Sequence, residues 1–99
     1  MSYIEDVNIL WDEDKNKKLI SQRGISFEQA AELILAKEYV AVLENPARPG
    51  QFLFLIPING YIHAVPFVID KDDDIILKTI FPSRKINNLY GEKNNDKDA

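Results

Sequence analysis

The stretch QFLFLIPI-NG-YIHAVPFVI, Gln51 to Ile69, decides the fold. Asn59-Gly60 sits between two runs rich in aromatic and β-branched residues, and a two-residue type I′ turn needs positive φ at both of its central positions. Such a turn sets Ile58 opposite Tyr61, Ile56 opposite His63, Phe54 opposite Val65 and Phe52 opposite Phe67. The alternate positions, among them Leu53, Leu55, Pro57, Ile62, Ala64 and Val68, are also largely apolar. A hairpin apolar on both faces belongs in the middle of a sheet, with helices over one side and partial cover over the other.

Upstream, Ile4–Trp11 suits a first strand, most clearly across Val7–Trp11. Asp12 reads as an N-cap for a helix over Asp12–Gln22, with acids in its first turn, lysines later and Gly24 as its terminator. Only Leu19 and Ile20 are apolar in that helix, so most of it must face solvent or a ligand. Ser26–Gln29 has capping-box spacing, and Phe27, Ala30, Ala31, Ile34 and Leu35 form a core-facing stripe on a helix from Phe27 to about Lys37. Tyr39–Glu44 reads as a strand, and the two prolines of Asn45-Pro-Ala-Arg-Pro-Gly50 make a loop. Downstream, Asp70–Asp74 is a charged turn and Ile75–Phe81 a strand. Pro82 opens a short helix whose stripe, Ile86, Leu89 and Tyr90, ends at Gly91. Residues 92–99 (EKNNDKDA) read as a polar, disordered tail beyond a single domain over 1–91. The element order is β-α-α-β-β-β-β-α, an α+β chain.

Ninety-nine residues with 45% hydrophobic and 28% charged side chains make one ordinary globular domain rather than a disordered segment. The absence of cysteine excludes disulfides, thiolate metal sites and thiol nucleophiles, and a single histidine excludes polyhistidine metal sites. No metal and no cofactor is expected. MSYIEDVNILWDEDK carries acids where an export signal needs a basic start and an apolar run, and no apolar stretch nears bilayer length. The expectation is a cytoplasmic protein with no membrane partner.

The net charge of −4 argues at first against a nucleic-acid binder. Its distribution argues otherwise. Residues 15–27 hold Lys15, Lys17, Lys18 and Arg23 with no acid, and residues 75–91 hold Lys78, Arg84 and Lys85 with no acid. All sixteen acids lie in the other 69 residues. Solvated surface explains any one of these cations; Lys78, interrupting an apolar strand, marks either a solvent face or a function. If the two segments converge in space, they form a cationic site on an acidic body, suited to a polyanion.

Three stretches resemble a known family. Trp11-Asp12-Glu13-Asp14-Lys15-Asn16-Lys17, then Gly24-Ile25-Ser26-Phe27-Glu28-Gln29-Ala30-Ala31, is similar to the opening of BrnT-type toxins of type II toxin–antitoxin systems. Lys78-Thr79-Ile80-Phe81-Pro82-Ser83-Arg84-Lys85, followed by Tyr90, resembles that family's closing strand and its S-R-K element. The resemblance spans most of residues 9–90. It implies a RelE-like fold, with two N-terminal helices packed on a four- to five-stranded antiparallel sheet and a short C-terminal helix. It also implies an endoribonuclease that inhibits translation, neutralised by a cognate antitoxin whose DNA-binding domain gives the complex its only contact with DNA. Many relatives carry Lys-His-Gly where this chain has Gln22-Arg23-Gly24, so a cation is kept and an imidazole is not.

On this reading Arg84, Lys85, Lys78 and Arg23 are the candidate catalytic cations, surrounding a phosphate attacked by the neighbouring 2′-hydroxyl without metal. Lys15 and Lys18, on one helix face, would track the RNA backbone, Ser83 is a further substrate-binding candidate, and Tyr90 or Trp11 would stack a base. His63 is the one side chain with an ordinary neutral-pH proton, but its apolar neighbours favour a packed or interfacial role over acid–base work. The alternative is a catalytically inactive protein-binding module on the same fold, drawn from the doubly apolar hairpin.

Overall fold

Asn59 and Gly60 both take positive φ, 56° and 79°, and the strands they join, β3 (Phe52–Ile58) and β4 (Tyr61–Ile69), pair in the type I′ register from Ile58↔Tyr61 to Phe52↔Phe67. This computed structural model describes residues 8–91. The expected tail at 92–99 and the beginning of the first expected strand lie outside them.

Around the hairpin the order is β1 (Ile9–Leu10), α1 (Glu13–Arg23), α2 (Phe27–Leu35), β2 (Ala41–Glu44), β3, β4, β5 (Ile75–Leu77), β6 (Phe81–Pro82) and α3 (Arg84–Ile86), which runs into a π-helical turn over Asn87–Gly91. The sheet runs β1-β5-β4-β3-β2, with β6 also on β4. Both central strands belong to the hairpin. Phe54, Ile56, Ile58, Val65 and Phe67 face a core completed by Leu19 of α1 and by Phe27, Ala30 and Ile34 of α2. Leu53, Leu55, Ile62 and Ala64 face the other way, under Phe81 and Ile86.

Three expectations need correction. The sheet has six strands rather than four or five, and it is mixed, because β1 pairs parallel to β5. That contact covers an edge of β5 that would otherwise offer unpaired amides; Ile75 N–H donates to Asn8 O at 2.9 Å. The expected strand Ile75–Phe81 is broken. Its ladder with β4 runs Phe67↔Leu77 on one side of the break and Ala64↔Phe81 on the other, so three residues, 78–80, face two, 65 and 66. This is a β-bulge of one residue, and it reverses the alternation of faces: Leu77 and Ile80 both enter the helix-side core. Finally, Pro82 ends β6 and Ser83 caps the helix instead, accepting from Ile86 N–H.

The helix termini follow the sequence. Asp12 and Gly24 bracket α1, and Ser26 with Gln29 forms a complete capping box on α2. The second helix stops two residues before Lys37, which sits at φ 60° in a Schellman closure, with Glu38 N–H on Leu33 O and Lys37 N–H on Ile34 O.

Candidate nucleic-acid interface

Apolar burial alone does not hold α1. Leu19 is its one buried apolar side chain, worth about 1.5–3 kcal/mol. Asn16, 2% exposed, adds a polar anchor. Its Oδ1 accepts from Phe27 N–H at 2.7 Å and its Nδ2 donates to Glu28 Oε1 at 2.8 Å. These bonds tie α1 to the first turn of α2, and they fix the rotation of a helix whose lysines must point somewhere. Nothing in the apolar pattern marks Asn16. The visible signal is its place inside the D-E-D-K-N-K run.

Pro66 sets the other wall. Lys78 N–H donates to Pro66 O at 2.8 Å, and in an antiparallel pair the reciprocal bond would run from residue 66 N–H to Lys78 O. Proline has no N–H, so the Lys78 carbonyl is left without its ladder donor and the closing strand bulges there. Lys15 takes up that carbonyl, its Nζ donating to Lys78 O at 3.3 Å. The bulge thereby fixes an ammonium from α1 beside Lys78.

Two adjoining clefts open at this junction. One, of about 360 Å³, has Lys15, Arg48 and Lys78 as its cations, with Asn45, Gln51 and Thr79 between them and Pro66 and Phe81 as apolar wall. The second, about 300 Å³, has Lys15, Lys18 and Arg23 with Gln22 and Thr79, over Leu19 and Ile80. Lys15 and Thr79 line both, and among the described residues no acid lines either. Five cations thus meet along one flank, where the low-dielectric walls concentrate their field.

Of the residues singled out in the sequence, Lys15, Lys18, Arg23 and Lys78 come together here. Arg84 and Lys85 line neither cleft. They are exposed on α3, which rests through Ile86 on the sheet face turned away from α1 and α2. Ser83 is engaged in the fold, its hydroxyl capping α3 and its N–H reaching Ile62 O at 3.4 Å. The side chain of Tyr90 lies outside the described residues. Trp11 stacks on Phe27 at 5.8 Å and donates its indole N–H to Glu13, so it serves the core. His63, 6% exposed, sits between Ile56 and Pro82 in the sheet. Its Nδ1 lies 2.8 Å from Tyr61 O; a carbonyl only accepts, so Nδ1 carries the proton and the ring is held in place. Arg48 and the loop around it are the contribution that sequence reading missed. Elsewhere, carboxylate oxygens of Asp70, Asp72 and Asp74 lie within 4.8 Å of one another, but Asp70 Oδ1 already accepts from the amides of Asp72 and Asp74 and so closes the turn. Among the described residues no helix is long and apolar enough to cross a membrane.

The crystal structure of the ribonuclease toxin BrnT from Brucella abortus superposes on 78% of this chain and 96% of its own, with a TM-score of 0.58 and 22% sequence identity. The chain has the BrnT-type toxin fold. No protein-family model matches the sequence, and comparison with curated proteins gives no match. At 22% identity the likeness to BrnT is one of architecture, and a shared fold does not by itself carry a shared chemistry.

Proposed function

We propose that the chain is a toxin of a type II toxin–antitoxin pair, an endoribonuclease that blocks translation and is neutralised by a cognate antitoxin. The observation that carries this reading is the meeting of α1 and the Lys78 bulge in two contiguous clefts, lined by no acid among the described residues, on a BrnT-type fold. In the reaction, an RNA 2′-oxygen attacks the adjacent phosphorus and the bond from phosphorus to the 5′-oxygen breaks. The 2′-hydroxyl proton passes to solvent and the departing 5′-oxygen gains one, leaving a cyclic phosphate. The charge gathered on the phosphoryl oxygens is met by Lys78, Lys15 and Arg23, held in place before the reaction. Lys18 holds a neighbouring phosphate. Arg84 and Lys85 follow Phe81 in the chain, and on this geometry they meet RNA that runs on past the larger cleft rather than the reacting phosphate. His63 is a packed residue. The antitoxin carries the DNA-binding domain, and the complex reaches DNA only through it.

The test is expression with and without the adjoining reading frame, together with RNA cleavage by the purified chain in chelator. Growth arrest relieved by the neighbour, and lost in a folded Lys15→Ala/Lys78→Ala protein, is the expected result. A folded double variant as toxic as the parent would overturn the assignment. The second reading, a non-cleaving protein-binding module, is favoured by the edge strand β2, where Val42 and Leu43 are 45% and 37% exposed. It predicts a tight complex with the neighbour and no growth arrest.

A further inference from the structure

The larger cleft holds more than charge. Its outer wall is the loop Asn45–Gln51, whose two amide side chains are locked together in one sense. Asn45 Oδ1 accepts from Ala47 N–H at 3.0 Å, and a backbone N–H only donates, so the other end of that amide is the nitrogen. That Nδ2 donates to Gln51 at 2.9 Å, which makes the receiving atom Gln51 Oε1. The Asn45 amide is therefore held at both ends within the loop. Gln51 takes part through its oxygen alone among the described residues, which leaves its Nε2 hydrogens as donors in a cleft that Arg48 also lines. Phe81 and Pro66 give the same cleft its apolar lining, and Lys15 and Lys78 line it as well.

A cleft of about 360 Å³ lies within the usual range of ligand pockets, and its parts match those of one nucleotide. The lysines suit a phosphate, the Phe81 ring suits a base face, and the donors suit a base edge that offers acceptors. Resting on the ribonuclease reading for its source of nucleotides, we infer that this cleft is a base-selecting subsite. Arg48 and Gln51 read the edge of one RNA base, and guanine, whose O6 and N7 are adjacent acceptors, is the base they favour. The loop then sets which nucleotide neighbours the cleaved bond.

The experiment uses the full chain, with backbone amide shifts followed by NMR during titration with GMP, AMP, CMP, UMP and inorganic phosphate. A single-stranded RNA oligomer is titrated in parallel. Shifts confined to residues 45–51 and 78–81, with GMP at least threefold tighter than the other nucleotides and phosphate, are expected. Gln51→Glu keeps an acceptor for Asn45 and removes the donors, so it should abolish the preference while leaving the loop shifts intact; Arg48→Ala should weaken GMP tenfold. Equal affinity for all four nucleotides, or a preference that survives both substitutions, overturns the subsite. If that happens while the oligomer is bound and cut, the ribonuclease reading stands alone. If GMP is preferred but RNA is never cut, the subsite stands and that reading falls. If no nucleotide and no RNA binds, both fall.

Discussion

The two cation-bearing segments, Lys15–Arg23 and Arg84–Lys85, look alike in the sequence and differ in the fold. Each is pinned by one buried asparagine. Asn16 ties α1 to α2 through two hydrogen bonds, and Asn87, 8% exposed, ties the C-terminal turn to β4 by accepting from Ile62 N–H at 2.9 Å. The first segment is thereby set beside the bulge, against Lys78, on the flank where both clefts open. The second follows Phe81 onto the sheet face turned away from α1 and α2, on a helix of three residues; Phe81 walls the larger cleft, but Arg84 and Lys85 line neither. Charge density along a chain therefore says little about a site. What brings cations together is the local backbone that each packs against, and here that backbone is the bulge across from Pro66.

The largest contrast to seek is in RNA affinity. Removing Lys15, Arg23 and Lys78 together, each to Ala, should weaken binding of a single-stranded oligomer by about 30–100-fold at low salt. It should also flatten the plot of log K against log salt by about 2, since each phosphate contact on a single strand contributes about 0.7. Removing Arg84 and Lys85 should cost about threefold. Comparable losses from the two sets, measured on proteins with matching unfolding midpoints, would break the distinction between the segments.

A smaller effect separates the two anchors. Asn16→Leu leaves the Phe27 amide buried without an acceptor and also frees Glu28, so it should lower stability by about 2 kcal/mol. Asn87→Leu orphans only the Ile62 amide, for about 1 kcal/mol. Urea unfolding with an unchanged slope reads both. Equal losses would mean that the C-terminal turn is held as firmly as α1, and that its distance from the clefts is not a matter of weaker attachment.

How much of this is legible in the sequence depends on how local the cause is. The hairpin register follows from Asn59-Gly60 alone, and the caps of α1 and α2 follow from Asp12, Gly24, Ser26 and Gln29, because each of these acts on its own few residues. The bulge is hidden. Read alone, Ile75–Phe81 is an unbroken strand, and the reason it breaks is a missing N–H on Pro66 in the neighbouring strand. The parallel pairing of β1 escapes for the same reason, since an edge strand of two residues carries no pattern of its own. Asn16 escapes because a periodicity argument counts apolar residues and treats a polar one as outward-facing. The meeting of Lys15, Lys18, Arg23 and Lys78 is visible in the sequence only as a condition, and Arg84 does not share in it. Arg48 is lost inside a loop whose partners, Lys15 and Lys78, lie about thirty residues away on either side.

The smallest effect is the most direct probe of why the segments differ. Pro66→Val returns an N–H to the centre of β4, aimed at the carbonyl of Lys78, where Lys15 Nζ now sits at 3.3 Å. A ladder bond there competes with the ammonium for the same oxygen, and backbone pairing is the better-aligned donor. Lys15 is then released to solvent with its charge intact. RNA affinity should fall by about threefold, the part of the Lys15 contribution that comes from being held in place, and the salt slope should stay as it is because no cation has been removed. The amide that the substitution introduces at position 66 should be protected from hydrogen exchange, showing that the bond has formed. Arg84 and Lys85 provide the contrast: they line neither cleft and take no part in the Lys15–Lys78 bond, so adding Arg84→Ala to Pro66→Val should bring only that substitution's own small loss. An unprotected amide at position 66 with unchanged RNA affinity would mean that the strand bulges for some cause other than Pro66, and the account of why the cations of α1 meet Lys78 would have to start elsewhere.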